Sequence, residues 1–114
     1  MKNFFFILMM TLVSSNQSNF DGTKLIEDEG LVIVEYNAPF NLKNSYKGFS
    51  SLSNVNKSKI NIENNPIQRK EMKIRNVPTL ILFLDNKEVD RWTAGLDMKI
   101  HVPVEEIQET INKF

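Results

Sequence analysis

The chain has 114 residues, 41% hydrophobic and 25% charged, with four Gly and four Pro; that suffices for one packed core and excludes a second domain or a disordered or collagen-like composition. Fourteen basic residues balance fourteen acidic ones, so no chain-wide field draws it to nucleic acid or to an anionic membrane. With no cysteine, disulfide exchange, cysteine nucleophiles, thiolate metal sites and lipoprotein-type lipid attachment are excluded.

In chain order, residues 1–18 read as a signal peptide: Lys2 gives a short positive start, Phe4 to Val13 is apolar apart from Thr11, and Ser14 to Ser18 is small and polar. The apolar run is about half of the roughly 20 residues that cross a bilayer, so cleavage near Ser15 or Ser18 is expected rather than a stable membrane anchor. Export follows, to the periplasm or exterior if bacterial, or to the secretory-pathway lumen or exterior if eukaryotic. Residues 19–114 form the expected domain.

Phe20 to Glu29 reads as a short amphipathic helix closed by Gly30. Leu31 to Tyr36 is a continuous, mostly β-branched apolar run interrupted only by Glu35, the pattern of a strand buried on both faces. After Pro39, Asn41 is placed to cap a helix from about Leu42 to Leu52. Lys59 to Ile62 is a second strand, and Asn65-Pro66 opens a helix to about Lys73. Thr79 to Leu84 is another apolar strand; Asp85-Asn86-Lys87 turns it into Glu88 to Thr93, a more polar antiparallel partner. Pro103 opens a last helix with Glu105 and Glu106 in its first turn and Val104, Ile107, Ile111 and Phe114 along one face.

That order of elements and three local stretches resemble the thioredoxin and protein disulfide isomerase superfamily over most of Phe20 to Phe114. Val34-Glu35-Tyr36-Asn37-Ala38-Pro39-Phe40 is similar to the strand and loop that precede the family's Cys-x-x-Cys. Asn61 to Pro66 resembles a strand end and helix start, and Ile74-Arg75-Asn76-Val77-Pro78-Thr79-Leu80 resembles the family's Ile-Arg-Gly-Ile-Pro-Thr segment. Gly95 matches a glycine that the family uses after the hairpin. The resemblance implies a three-layer α/β fold, a central mixed sheet flanked by helices. It implies a shortened helix after the active-site position, and a first edge strand that would fall within the signal peptide and be lost with it.

The same resemblance lays the two cysteine positions on Asn41 and Asn44. An amide is no redox nucleophile, so the expectation is a redox-inactive domain rather than a thiol-disulfide oxidoreductase. Glu35 corresponds to the family's buried acid, here a relic without its cysteine, or else a partly exposed strand glutamate. Pro78 resembles the family's cis-proline. Beside it, Phe40, Asn41, Val77, Pro78 and Gly95 would form a groove for an extended peptide or partner protein; alternatively Pro78 only shapes a loop. Two other readings stay open: a non-redox enzyme using Glu35, and a degenerate paralogue retaining only the fold. His101 is the single histidine and no glycine-rich phosphate loop appears, so neither metal nor cofactor is expected.

Overall fold

The computed structural model describes residues 30–114. The signal peptide expected over residues 1–18 and the helix expected over Phe20 to Glu29 lie outside them.

Four strands form one sheet: β1 (Leu31–Asn37), β2 (Asn56–Asn61), β3 (Thr79–Leu84) and β4 (Lys87–Thr93), in the order β2-β1-β3-β4. β1 runs parallel to β2 and antiparallel to β3, and β3 runs antiparallel to β4. The two apolar runs of the sequence are the two central strands, as expected of strands that must bury both faces. β2 and β4 are the edges among the described residues, and their side chains are correspondingly polar and largely exposed.

Alternation along the central strands sorts the core into two layers. Val32, Val34, Tyr36, Ile81 and Phe83 point to one face, where Ile62, Ile74 and helix α1 (Pro66–Glu71) cover them. Ile33, Leu80 and Leu82 point to the other, under Tyr46, Phe49, Leu52 and the Ile107 and Ile111 of helix α2 (Val104–Ile111). Each fully buried aliphatic side chain contributes about 1.5–3 kcal/mol by leaving water. The architecture is the expected mixed sheet between two helical layers.

The largest difference from expectation lies after β1. No α-helix spans Leu42 to Leu52; instead a 3₁₀ helix (Pro39–Asn44) and a short 3₁₀ turn (Phe49–Ser51) cross the sheet. The segment carries Asn44, Ser45, Gly48, Ser50 and Ser51, residues that favour turns over helix interiors. Its buried members Tyr46, Phe49 and Leu52 recur every third residue, which suits a 3₁₀ path. Gly48 permits the path: an added Cβ would lie 2.8 Å from the Cβ and Cγ2 of Val104 at the start of α2.

The remaining differences are shifts of boundary. β2 begins at Asn56, pairing with Val32, because β1 supplies hydrogen-bonding partners earlier than the apolar pattern of β2 suggests. α1 ends at Glu71 rather than near Lys73, which adopts a left-handed φ of 57°. α2 ends at Ile111, so Phe114 falls beyond the helix and is exposed instead of lying along the inner face. Asp85 and Asn86, with φ of 50° and 70°, make the tight β3–β4 turn, and Asp85 Oδ1 accepts the Gly30 N–H at 2.7 Å.

Candidate functional site

β1 ends, and β3 begins, at the same edge of the molecule, and the chain leaves β1 directly into the Pro39–Asn44 turn. That juxtaposition brings Asn41 against Val77, with Asn44 bonded to Asn41. The Val77–Pro78 peptide bond is cis. Pro78 O accepts the Ala94 N–H at 3.0 Å, and Asn76 Nδ2 donates to Ala94 O at 3.0 Å. These bonds tie the end of β4 and the Gly95–Met98 turn to the same place.

Asn41 is the joint between these segments. It does not cap a helix: the residue at the cap position is Ala38, with no side-chain capping bond, and Asn41 sits inside the 3₁₀ helix at a kink with φ −118° and ψ 16°. Its side chain turns inward and is only 2% exposed. Nδ2 lies 3.2 Å from each of Asn37 Oδ1, Val77 O and Met98 O. Two hydrogens thus serve three acceptors. Asn41 Oδ1 accepts from Asn44 Nδ2 at 2.8 Å. Asn37 Nδ2 completes the network by donating to Asn41 O at 3.2 Å and Ser45 Oγ at 3.3 Å. Asn44 is therefore a half-buried network member rather than a free surface residue.

The other expected site residues divide into buried and exposed. Val77 and Pro78 are buried and Gly95 is exposed. Nothing at Gly95 requires glycine sterically, since the nearest atom to an added Cβ is Asp97 Oδ1 at 3.8 Å. Phe40 stands out at 64% exposure. Leu42, Leu96 and Met98, which the sequence reading did not single out, are exposed with it on the two segments that Asn41 joins. An apolar Leu96 between a glycine and an aspartate in a loop is the signal that could have found this patch; Met98 carried none.

Glu35 is buried on β1, 1% exposed. Its Oε2 accepts the Tyr46 N–H at 2.7 Å, and its Oε1 lies 3.7 Å from the Nζ of the largely exposed Lys59. Oε1 has no hydrogen-bond partner among the described residues. Glu35 does not line the clefts at Arg69–Arg75, at Lys43–Gly48 or at Glu105–Asn112. Its observed task is to hold the backbone of the segment that replaces the helix. His101 pairs with Asp97 at 2.6 Å on the surface and holds that carboxyl below its usual range. No three His, Asp or Glu side chains gather into a metal-binding group among the described residues.

The chemistry available at the sheet end is hydrogen bonding by amides and backbone, with apolar contact around it. The mixed β2-β1-β3-β4 sheet between helical layers is a thioredoxin-like fold. A thioredoxin of Halobacterium salinarum superposes with a TM-score of 0.62 at 19% identity, covering 87% of this chain and 85% of that one. A thioredoxin of Schistosoma mansoni gives a TM-score of 0.60 at 19% identity, over 75% of this chain and 80% of that one. No family model matches the chain. In sequence, a thioredoxin of Chlamydia caviae is 43% identical over 50 residues, 44% of this chain and 48% of that protein, so the chain spans about half the length of the curated relative it matches. The chain thus has a thioredoxin-like fold and contains no cysteine.

Proposed function

We propose that this domain is a redox-inactive binding module that takes an extended peptide, or an extended segment of a partner protein, across the end of the sheet at Asn41. The observation that carries the reading is the grouping of exposed apolar side chains. Phe40 and Leu42 flank Asn41, while Leu96 and Met98 sit on the turn that Asn41 holds, and all four face solvent beside a rigid polar joint. Exposed apolar residues gathered on fixed backbone favour contact with another chain. The N–H of Val77 has no backbone acceptor among the described residues, which leaves a main-chain donor next to the patch. Export through the signal peptide over residues 1–18 belongs to the same proposal, since that leader is read from sequence.

The test is amide chemical-shift mapping on the full chain with an unstructured peptide carrying leucine and phenylalanine. Shifts confined to Phe40–Asn44, Val77 and Leu96–Lys99, and lost in a Phe40→Ser, Leu96→Ser variant, are expected. Absence of shifts, or shifts centred on Glu35 with turnover of the peptide, would overturn the reading.

A further inference from the structure

Although the chain as a whole is neutral, its charges are not evenly spread. The seven residues from Arg69 to Arg75 carry four cations and the single acid Glu71. Arg69, Lys70, Lys73 and Arg75 line one cleft of about 540 Å³ whose apolar wall is Ile62, Pro66 and Ile74 and whose one acid is Glu63. None of the four cations has a carboxylate within salt-bridge distance among the described residues. This cleft lies on the α1 face of the sheet, and Arg75 is two residues from Val77.

A second cleft, of about 850 Å³, lies on the α2 face. Lys43, Lys47, Lys99 and His101 line it, no acid does, and Asn44 forms part of its wall. Asp97 is engaged by His101, and Glu105 and Glu106, at the start of α2, are the acids near its Tyr46. The two basic clefts thus lie on opposite faces of the sheet, one sharing Lys43 and Asn44 with the site segment and the other ending at Arg75, two residues before Val77. At the far end of the sheet the β3–β4 hairpin presents Asp85, Glu88 and Asp90 with Lys87 and Arg91, the last paired with Glu88 at 2.6 Å.

We infer that the segment bound at this end is acidic: an extended polypeptide whose apolar residues meet Phe40 and Leu96 and whose flanking Asp or Glu side chains enter the basic clefts. This rests on the binding function proposed above and names its partner class. Guanidinium groups in fork geometry suit carboxylates, and complementary charge raises the encounter rate and selects the partner. A polypeptide is favoured over nucleic acid because the Arg69–Arg75 cleft has an apolar wall and no aromatic side chain on which a base could stack.

The experiment uses the full chain and two fluorescent peptides with the same apolar residues, one flanked by Asp and Glu, the other by Asn and Gln, read by anisotropy. The acidic peptide should bind about tenfold more tightly at low ionic strength, and the difference should shrink as salt screens the charges. An Arg69→Glu, Arg75→Glu variant should lose the preference while still binding the amide peptide. A Lys87→Glu variant, altered at the far end, should keep the preference. Equal binding of the two peptides would overturn the inference and leave the binding function standing, whereas failure of both peptides to bind would remove the function itself. A single-stranded oligonucleotide competing as well as the acidic peptide at equal charge would also overturn it, since the clefts would then be selecting polyanions in general.

Discussion

Replacing Asn41 by alanine should destabilise the domain well beyond a typical polar substitution. The side chain is buried, gives two hydrogens to acceptors 3.2 Å away and accepts one bond from Asn44 at 2.8 Å. Three bonds at about 1 kcal/mol each set the loss near 3 kcal/mol, the stranded carbonyl of Val77 being buried. For a domain whose total stability is on the order of 5–15 kcal/mol, that is a large share. With a urea m-value of about 2 kcal/mol/M, the midpoint should fall by about 1.5 M. The half-buried Trp92, the single tryptophan, reports the transition by fluorescence. Asn44→Ala, which removes one bond near the surface, should cost about 1 kcal/mol or less. Asn41→Asp should be worse than Asn41→Ala at neutral pH, since a carboxylate would face carbonyl oxygens, and should recover partly in acid when its proton can be donated. An Asn41→Ala midpoint within error of the parent, or no lower than that of Asn44→Ala, would refute the account of Asn41 as a structural joint.

Three further outcomes follow from separate contacts. Glu35→Gln should stay within about 1 kcal/mol of the parent in urea unfolding, because the amide oxygen can still accept the Tyr46 N–H, whereas Glu35→Leu should lose about 1–3 kcal/mol by stranding that donor. Gly48→Ala should cost about 1–3 kcal/mol through the clash with Val104, and a double-mutant cycle with Val104→Ala should show only part of that cost relieved, because the Cγ2 is removed and the Cβ stays. Burial pushes the Tyr36 phenol up from 10.0 to about 12, with Gln68 opposing. A raised folded-state pKa means that stability is full below pH 10 and is lost as the pH rises towards 12, by about 3 kcal/mol for a two-unit shift. Absorbance titration at the phenolate band and unfolding at high pH check this. Release of the Tyr36 proton near pH 10 without unfolding would contradict it.

The central strands were legible because burial on both faces leaves few alternatives to an apolar run: Leu31 to Tyr36 and Thr79 to Leu84 became β1 and β3. The connection after β1 was misread because Asn41 after Pro39 has the chemistry of a cap, and caps are judged from one residue and its neighbours. Two of its partners, Val77 and Met98, lie 36 and 57 residues away along the chain, and no local pattern encodes them. The three-residue spacing of Tyr46, Phe49 and Leu52 was available and points to the 3₁₀ path, but over so short a stretch it competes with the 3.6-residue period. The patch of Phe40, Leu42, Leu96 and Met98 was half visible, through Phe40 alone. An exposed apolar side chain can be told from a buried one only when the elements around it are placed.

The joint at the sheet end is built from Asn37, Asn41, Asn44, Ser45 and main-chain carbonyls. None of these groups gains or loses a proton between acid and neutral conditions, and none is converted by glutathione or by oxidants that act on thiols. Where a cysteine pair would make this edge of the sheet answer to its surroundings, amides hold it in one arrangement whether the compartment is reducing or oxidising, acidic or neutral. The domain can therefore keep the same shape of contact across surroundings of different pH and redox poise.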